Sequence, residues 1–134
     1  MTAPPEIRRI VLPNSLELLC HDDSRGYFGD YHRVRVLLTL SIPLESRFFQ
    51  DGEELREAKR LLPDPVIYRR SAEKMAVPSA DLESVRSQLV EDLLRNAGEY
   101  LGSEQFPVRY IRAELIRNRS GKVRINEISV FRGE

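Results

Sequence analysis

The stretch YHRVRVLLTLSIPL, residues 31–44, decides the fold class. Val34, Val36, Leu38, Leu40, Ile42 and Leu44 fall on one parity, and Arg33, Arg35, Leu37, Thr39 and Ser41 on the other. Successive side chains of a strand point to opposite faces, so the stretch predicts a long strand with one buried face.

On its N-terminal side, EIRRIVLP and LELLC are short apolar-rich runs separated by PNS, which reads as a hairpin turn. On its C-terminal side, DGEELREAKRLL starts at Asp51 and carries Leu55, Ala58, Leu61 and Leu62 at helical spacing until Pro63 and Pro65 stop it. PVIYRR reads as a strand, and SAEKMAVP either extends it or forms a loop. Ser79 is placed to cap a second helix, in which Leu82, Val85, Leu89, Leu93, Ala97 and Leu101 recur at steps of three and four up to Gly102.

PVRYIRAELIRN fits a helix with Pro107 in its first turn, or an alternating strand. RAEL and a closing Gly121 favour the helix. KVRINEISVFR reads as a strand in either case. These elements predict an α+β protein: an antiparallel sheet of about four strands with two or three helices packed on one face. They predict one domain over 1–134, with short flexible ends at 1–5 and roughly 125–134.

The 134 residues are 41% hydrophobic and 31% charged, as expected of a folded chain long enough for one core. Lys and Arg number 21, as do Asp and Glu, so no net charge draws the whole protein to nucleic acid or to an anionic membrane. No apolar run approaches the roughly 20 residues of a membrane span, and the N-terminus lacks a secretory pattern. With a single cysteine no internal disulfide forms, and a cytoplasmic location is expected.

Residues 20–32, CHDDSRGYFGDYH, hold that cysteine and both histidines. A metal site there needs His21 and His32 on one face. The register that pairs them also sets Leu18 against Arg35 and Cys20 against Arg33, mixing core and solvent faces. A register that keeps the apolar face whole, with Leu18 beside Val36 and Cys20 beside Val34, sends the histidines to opposite faces. It sets His21 opposite Arg33 and Asp22 opposite His32. Only a bulge near Gly26 or Gly29 would reunite the histidines.

Cys20 and His21 are adjacent on a strand and cannot act as nucleophile and base. Cys20 and His32 share a parity, but burial there raises a thiol's pKa. DDSRG approaches the DxSxxG half of the cyclic-dinucleotide motif of PilZ domains. The glycine position holds Tyr27 and the upstream RxxxR is missing, so nothing carries over.

Elsewhere, Arg69 and Arg70 at a strand end are suited to gripping a phosphate or carboxylate. No glycine-rich phosphate loop is present. The last 28 residues hold seven Lys or Arg and three acids, a surplus of four positive charges over an acidic remainder. Arg117, Arg119, Lys122 and Arg124 are the candidates for nucleic-acid contact, against the simpler reading that the basic end packs on acidic surface.

No catalytic residue, metal site or cofactor is assigned. The expected function is a non-enzymatic binding or adaptor protein acting through a protein surface, with a homodimer as one expected form and nucleic acid and membrane not expected as partners. The alternatives are an enzyme, small-molecule or metal-dependent, using His21, Asp22, Asp23, Arg25 and His32, and nucleic-acid binding by the C-terminal segment.

Overall fold

The computed structural model describes residues 4–131, with side chains described as far as Arg119. The chain is α+β. Its strands are β1 (Glu6–Val11), β2 (Glu17–Asp22), β3 (Arg25–Phe28), β4 (Tyr31–Ile42) and β5 (Val66–Pro78). Its helices are α1 (Gly52–Leu61), α2 (Leu82–Leu101) and α3 (Gln105–Phe131). The expected flexible ends fall partly on residues 1–3 and 132–134, outside the described ones. Two compact units divide the chain: residues 1–41 with 67–103, and residues 42–66 with 104–134.

The first unit is organised by β4. Val34, Val36, Leu38 and Leu40 are all within 1% of complete burial, whereas Arg33, Arg35, Leu37 and Thr39 are half-buried. β2 pairs antiparallel with β4, Leu18 against Leu40, Cys20 against Leu38 and Asp22 against Val36. β3 continues along the same edge in the same register, with Arg25 against Arg33 and Gly26 against His32, before an irregularity between Gly26 and Phe28 shifts the pairing by one residue and sets Phe28 against Tyr31. β1 pairs outside β2, and β5 pairs with β4, leaving β1, β3 and β5 each with one paired strand among the described residues.

The parity argument therefore holds, but the expected register does not: Leu18 meets Leu40 rather than Val36, and His21 faces Leu37 rather than Arg33. The chain does not turn after Asp22. It continues through β3 and turns only at Gly29 and Asp30, which slides each pairing four residues along β4 and preserves the faces.

The PNS turn follows from its side chains. Leu12 and Ser15 close it through Leu12 N–H to Leu16 O and Ser15 N–H to Leu12 O, each 2.8 Å, with Ser15 at φ 74°. Asn14, a buried polar residue, donates to the carbonyls of Leu101 and Ser103, both at 2.8 Å, and accepts from Leu16 N–H. One amide thus serves two carbonyl groups at the C-terminus of α2, where intrahelical donors have run out. Gly102 permits the approach, since a Cβ there would lie 2.8 Å from Pro13 Cδ.

α2 packs on the buried face of the sheet. Val90, Leu93, Ala97 and Leu101 are buried, Arg86 reaches Asp22, and Glu91 meets Arg8. Ser79 does not cap it. Ser79–Asp81 form a 3₁₀ turn, Asp81 takes the cap position, and the Ser79 hydroxyl is occupied elsewhere.

In the second unit, Asp51 caps α1 by accepting from Glu54 N–H at 2.9 Å, and Glu54 reaches back to Gln50 N–H at 3.0 Å. These reciprocal bonds satisfy donors that the first helical turn leaves open. Leu44 N–H donates to Asp64 Oδ1 at 3.1 Å. Arg112 and Arg119 of α3 pair with Glu54 and Glu57 of α1.

The 107–118 segment is helical, as favoured. The helix also takes in the tail expected as a strand and runs through Gly121 to Phe131. Extending an established helix adds one backbone bond per residue, while a glycine inside it costs only about 1 kcal/mol.

Candidate functional site

The long hairpin formed by β2, β3 and β4 brings together most of the sequence candidates, and its pleat sorts them onto different faces. Cys20 is wholly buried, and burial pushes its thiol pKa up, with the charge of Arg8 opposing. A buried thiol held protonated is a poor nucleophile.

His21 lies on the face opposite to Cys20, its Nε2 3.3 Å from Thr39 Oγ1 and its Nδ1 without a hydrogen-bond partner. His32 shares the parity of Cys20 and meets Ser79. Among the described residues no group of three or more His, Cys, Asp or Glu is placed to hold a metal ion.

Asp22 and Asp23 also part company. Asp22 turns to α2: its Oδ2 accepts from Arg86 at 2.9 Å, and its Oδ1 accepts from the Ser24 hydroxyl at 2.6 Å and from Ser24 N–H at 3.1 Å. Ser24 Oγ in turn accepts from Arg35 N–H at 3.1 Å, replacing the backbone acceptor that the break between β2 and β3 removes. Asp23 faces the other way, 3.9 Å from Arg33 and 3.8 Å from Arg35. Its backbone carbonyl also accepts from Arg33.

Arg25 stands directly across from Arg33 on that outer face. Like charges directly opposed weaken a strand pair, and the Nε atoms of Arg33 and Arg35 are buried without hydrogen-bond partners.

The hairpin ends in an aromatic tip. Tyr27, Phe28 and Tyr31 are 50%, 73% and 45% exposed, around a turn in which Gly29 takes φ 56°. That backbone conformation suits glycine, which has no Cβ to clash.

The tip is latched to the end of β5. Ser79 N–H donates to Asp30 O at 3.1 Å, and Ser79 Oγ lies 2.9 Å from His32 Nε2. Hydrogen bonds from the Ser79 side chain and then its N–H hold the Asp30 carboxyl below the usual aspartate range.

Ser79 and His32 stand at the distance of a nucleophile and its base. A productive pair also needs a group to orient the base through its other nitrogen. His32 Nδ1 instead faces Gly26, at 3.4 Å from where a Cβ would stand, and the Asp30 carboxylate lies toward Ser79 N–H. This geometry fastens the tip.

Arg69 and Arg70 are exposed on β5, nine or more residues before the Ser79 latch, and the strand carries them away from the tip. Arg117 pairs with Glu114 on its own helix. Arg119 donates to Glu57 at 2.9 Å, and this hydrogen bond is the main cause of the lowered Glu57 pKa. The side chains of Lys122 and Arg124 lie outside the described ones. No helix among the described residues is long and apolar enough to cross a membrane.

Sequence reading missed the partners that organise this region: Ser24, Arg86 and Ser79. It missed the aromatic tip as well. No protein-family model, curated protein or solved structure matches the chain.

Proposed function

We propose that this chain is a non-enzymatic binding protein whose contact surface is the aromatic hairpin tip, and that its partner is a protein presenting an apolar pocket rimmed by carboxylates. The observation that carries the reading is the exposure of Tyr27, Phe28 and Tyr31 on a turn fastened by Ser79. Solvent-exposed aromatic clusters are costly to leave in water and are the usual anchors of protein interfaces. Holding them on a latched hairpin lowers the ordering entropy lost on binding. Arg25, directly opposite Arg33, adds positive charge beside the tip that a carboxylate rim would neutralise.

The test compares affinity capture by the wild-type protein with capture by a Tyr27→Ser, Phe28→Ser double variant of matched thermal stability, followed by direct titration of the recovered partner. Loss of binding of at least about tenfold, the effect of one hot-spot side chain, is expected. Unchanged binding by the double variant overturns the reading.

A second reading is favoured by the buried Nε atoms of Arg33 and Arg35, which make no hydrogen bond, beside Arg25: a small anion held on the outer face. Calorimetric titration with inorganic phosphate tests it. Binding abolished by Arg33→Gln supports it, and no heat at millimolar phosphate counts against it.

A further inference from the structure

We infer that β5 is a self-association edge, on which a second copy of this chain docks its own β5 to extend the sheet across a two-fold axis. This goes beyond the role of the tip and does not depend on it.

β5 is 13 residues long and pairs with β4 on one side only among the described residues. Its outer edge is therefore a row of backbone N–H and C=O groups open to another strand. Residues 69–71 and 73–76 are exposed, so both faces of the middle of the strand lie open. Arg69, Arg70, Glu73 and Lys74 make no ion pair among the described residues. Most other charges on the strands of this sheet are paired, Arg8, Arg9, Glu17, Arg33 and Arg35 among them.

The order of these residues is self-complementary. Two copies of β5 placed antiparallel about Ser71 set Arg69 against Glu73 twice, once on each side of the axis, with Ile67 against Met75 beyond them. Residues 67, 69, 71, 73 and 75 share one face of the strand, so these pairs form a single row. Met75, 51% exposed in the lone chain, would be covered in that row. On the other face Arg70 meets Ala72, and no like charges are directly opposed. Moving the axis to Ala72 sets Arg70 against Lys74, and moving it to Arg70 sets that arginine against its own copy, each a repulsive pair. Charge thus selects one register.

The outer strand β1 is not built for this. β1 carries a register irregularity between Glu6 and Arg8, and an antiparallel twin centred between Arg8 and Arg9 opposes arginine to arginine. Edge strands are ordinarily guarded by such kinks and like charges. In β5 the positive φ among the described residues, 57°, is at Ala76, near the end of the strand and outside the proposed pairing row. Strand addition draws its affinity from main-chain hydrogen bonds, and side-chain pairs set the register.

The experiment measures solution mass by sedimentation equilibrium on the full chain. A species of twice the 15.5 kDa chain is expected for the wild type. Arg69→Glu and Glu73→Arg should each weaken it about tenfold or more, and the combination of both reversals should restore it. Ser71→Cys, at the axis, should form a disulfide-linked dimer under mild oxidation, whereas Arg70→Cys should not.

Circular dichroism confirms that each variant is folded before its mass is read. A wild type that stays at the mass of one chain at high micromolar concentration overturns the proposal. So does a dimer indifferent to both single reversals.

Discussion

At the scale of the residue, Asp22 and Cys20 show how one strand separates chemistry from architecture. Both lie on the buried parity of β2, yet Asp22 at the strand's end is drawn into the ion pair with Arg86. That pair is partly buried, and removing the carboxylate leaves the Arg86 guanidinium with Glu83 as its remaining acid and takes the acceptor from the Ser24 hydroxyl. Asp22→Ala should lower stability by about 1–3 kcal/mol in urea unfolding, the range for a lost charged hydrogen bond. Asp23→Ala on the open outer face should cost less. Cys20 has no such outlet. Its thiol should react with an aromatic disulfide reagent only after urea unfolding, and fast labelling of the native protein at pH 8 would contradict the burial of this face.

At the scale of the element, the two turns of the sheet are fixed by side chains acting at a distance. Asn14 ties the β1–β2 turn to the end of α2, and Asn14→Ala should cost about 1–3 kcal/mol because two helix-terminal carbonyls and the Leu16 N–H lose their partner together. At the other end, Ser79 ties the hairpin tip to β5, and its pH response has a definite sign. The Asp30 carboxyl is lowered in the folded state. The latch should therefore contribute fully above the ordinary aspartate pKa of about 3.9 and fade as pH falls through the lowered folded value. Carbon-detected titration should place the Asp30 pKa closer to the ordinary value in Ser79→Ala than in the wild type. An unchanged value would show that Ser79 does not hold the tip.

What was legible before the structure follows the same division. Alternation in β4 was strong enough to set the sheet, its buried face and the separation of the two histidines, because a one-residue slip would have exposed the whole core row. The length of the hairpin was not legible. β3 is four exposed residues with no apolar period, and only the Ser24 bridge and the turn at Gly29 keep it in the ladder. The latch was equally hidden, since Ser79 lies 47 positions from His32 and looked like an ordinary helix cap. In the C-terminal third, Ile111, Ala113 and Leu115 satisfied both periods. Its helix is supported by the Arg112 and Arg119 pairs to α1, contacts that no local window contains.

At the scale of the whole molecule, the proposed binding tip and the proposed self-pairing edge belong to the same sheet. A two-fold axis at Ser71 lies eight residues from Ser79 in each copy. At about 3.3 Å per residue the two latches would stand roughly 50 Å apart, facing opposite ends of one continuous sheet. Such a dimer would present two tips and engage a repetitive or multivalent partner with an avidity that neither tip has alone.

Hydrogen exchange on the full chain, with and without the partner recovered by the wild-type tip, tests the central claim most directly. The account predicts new protection centred on residues 25–32, with the paired core of β4 unchanged. Protection that instead falls on α1 and α3, or along β1, and leaves residues 25–32 exchanging as before would contradict it.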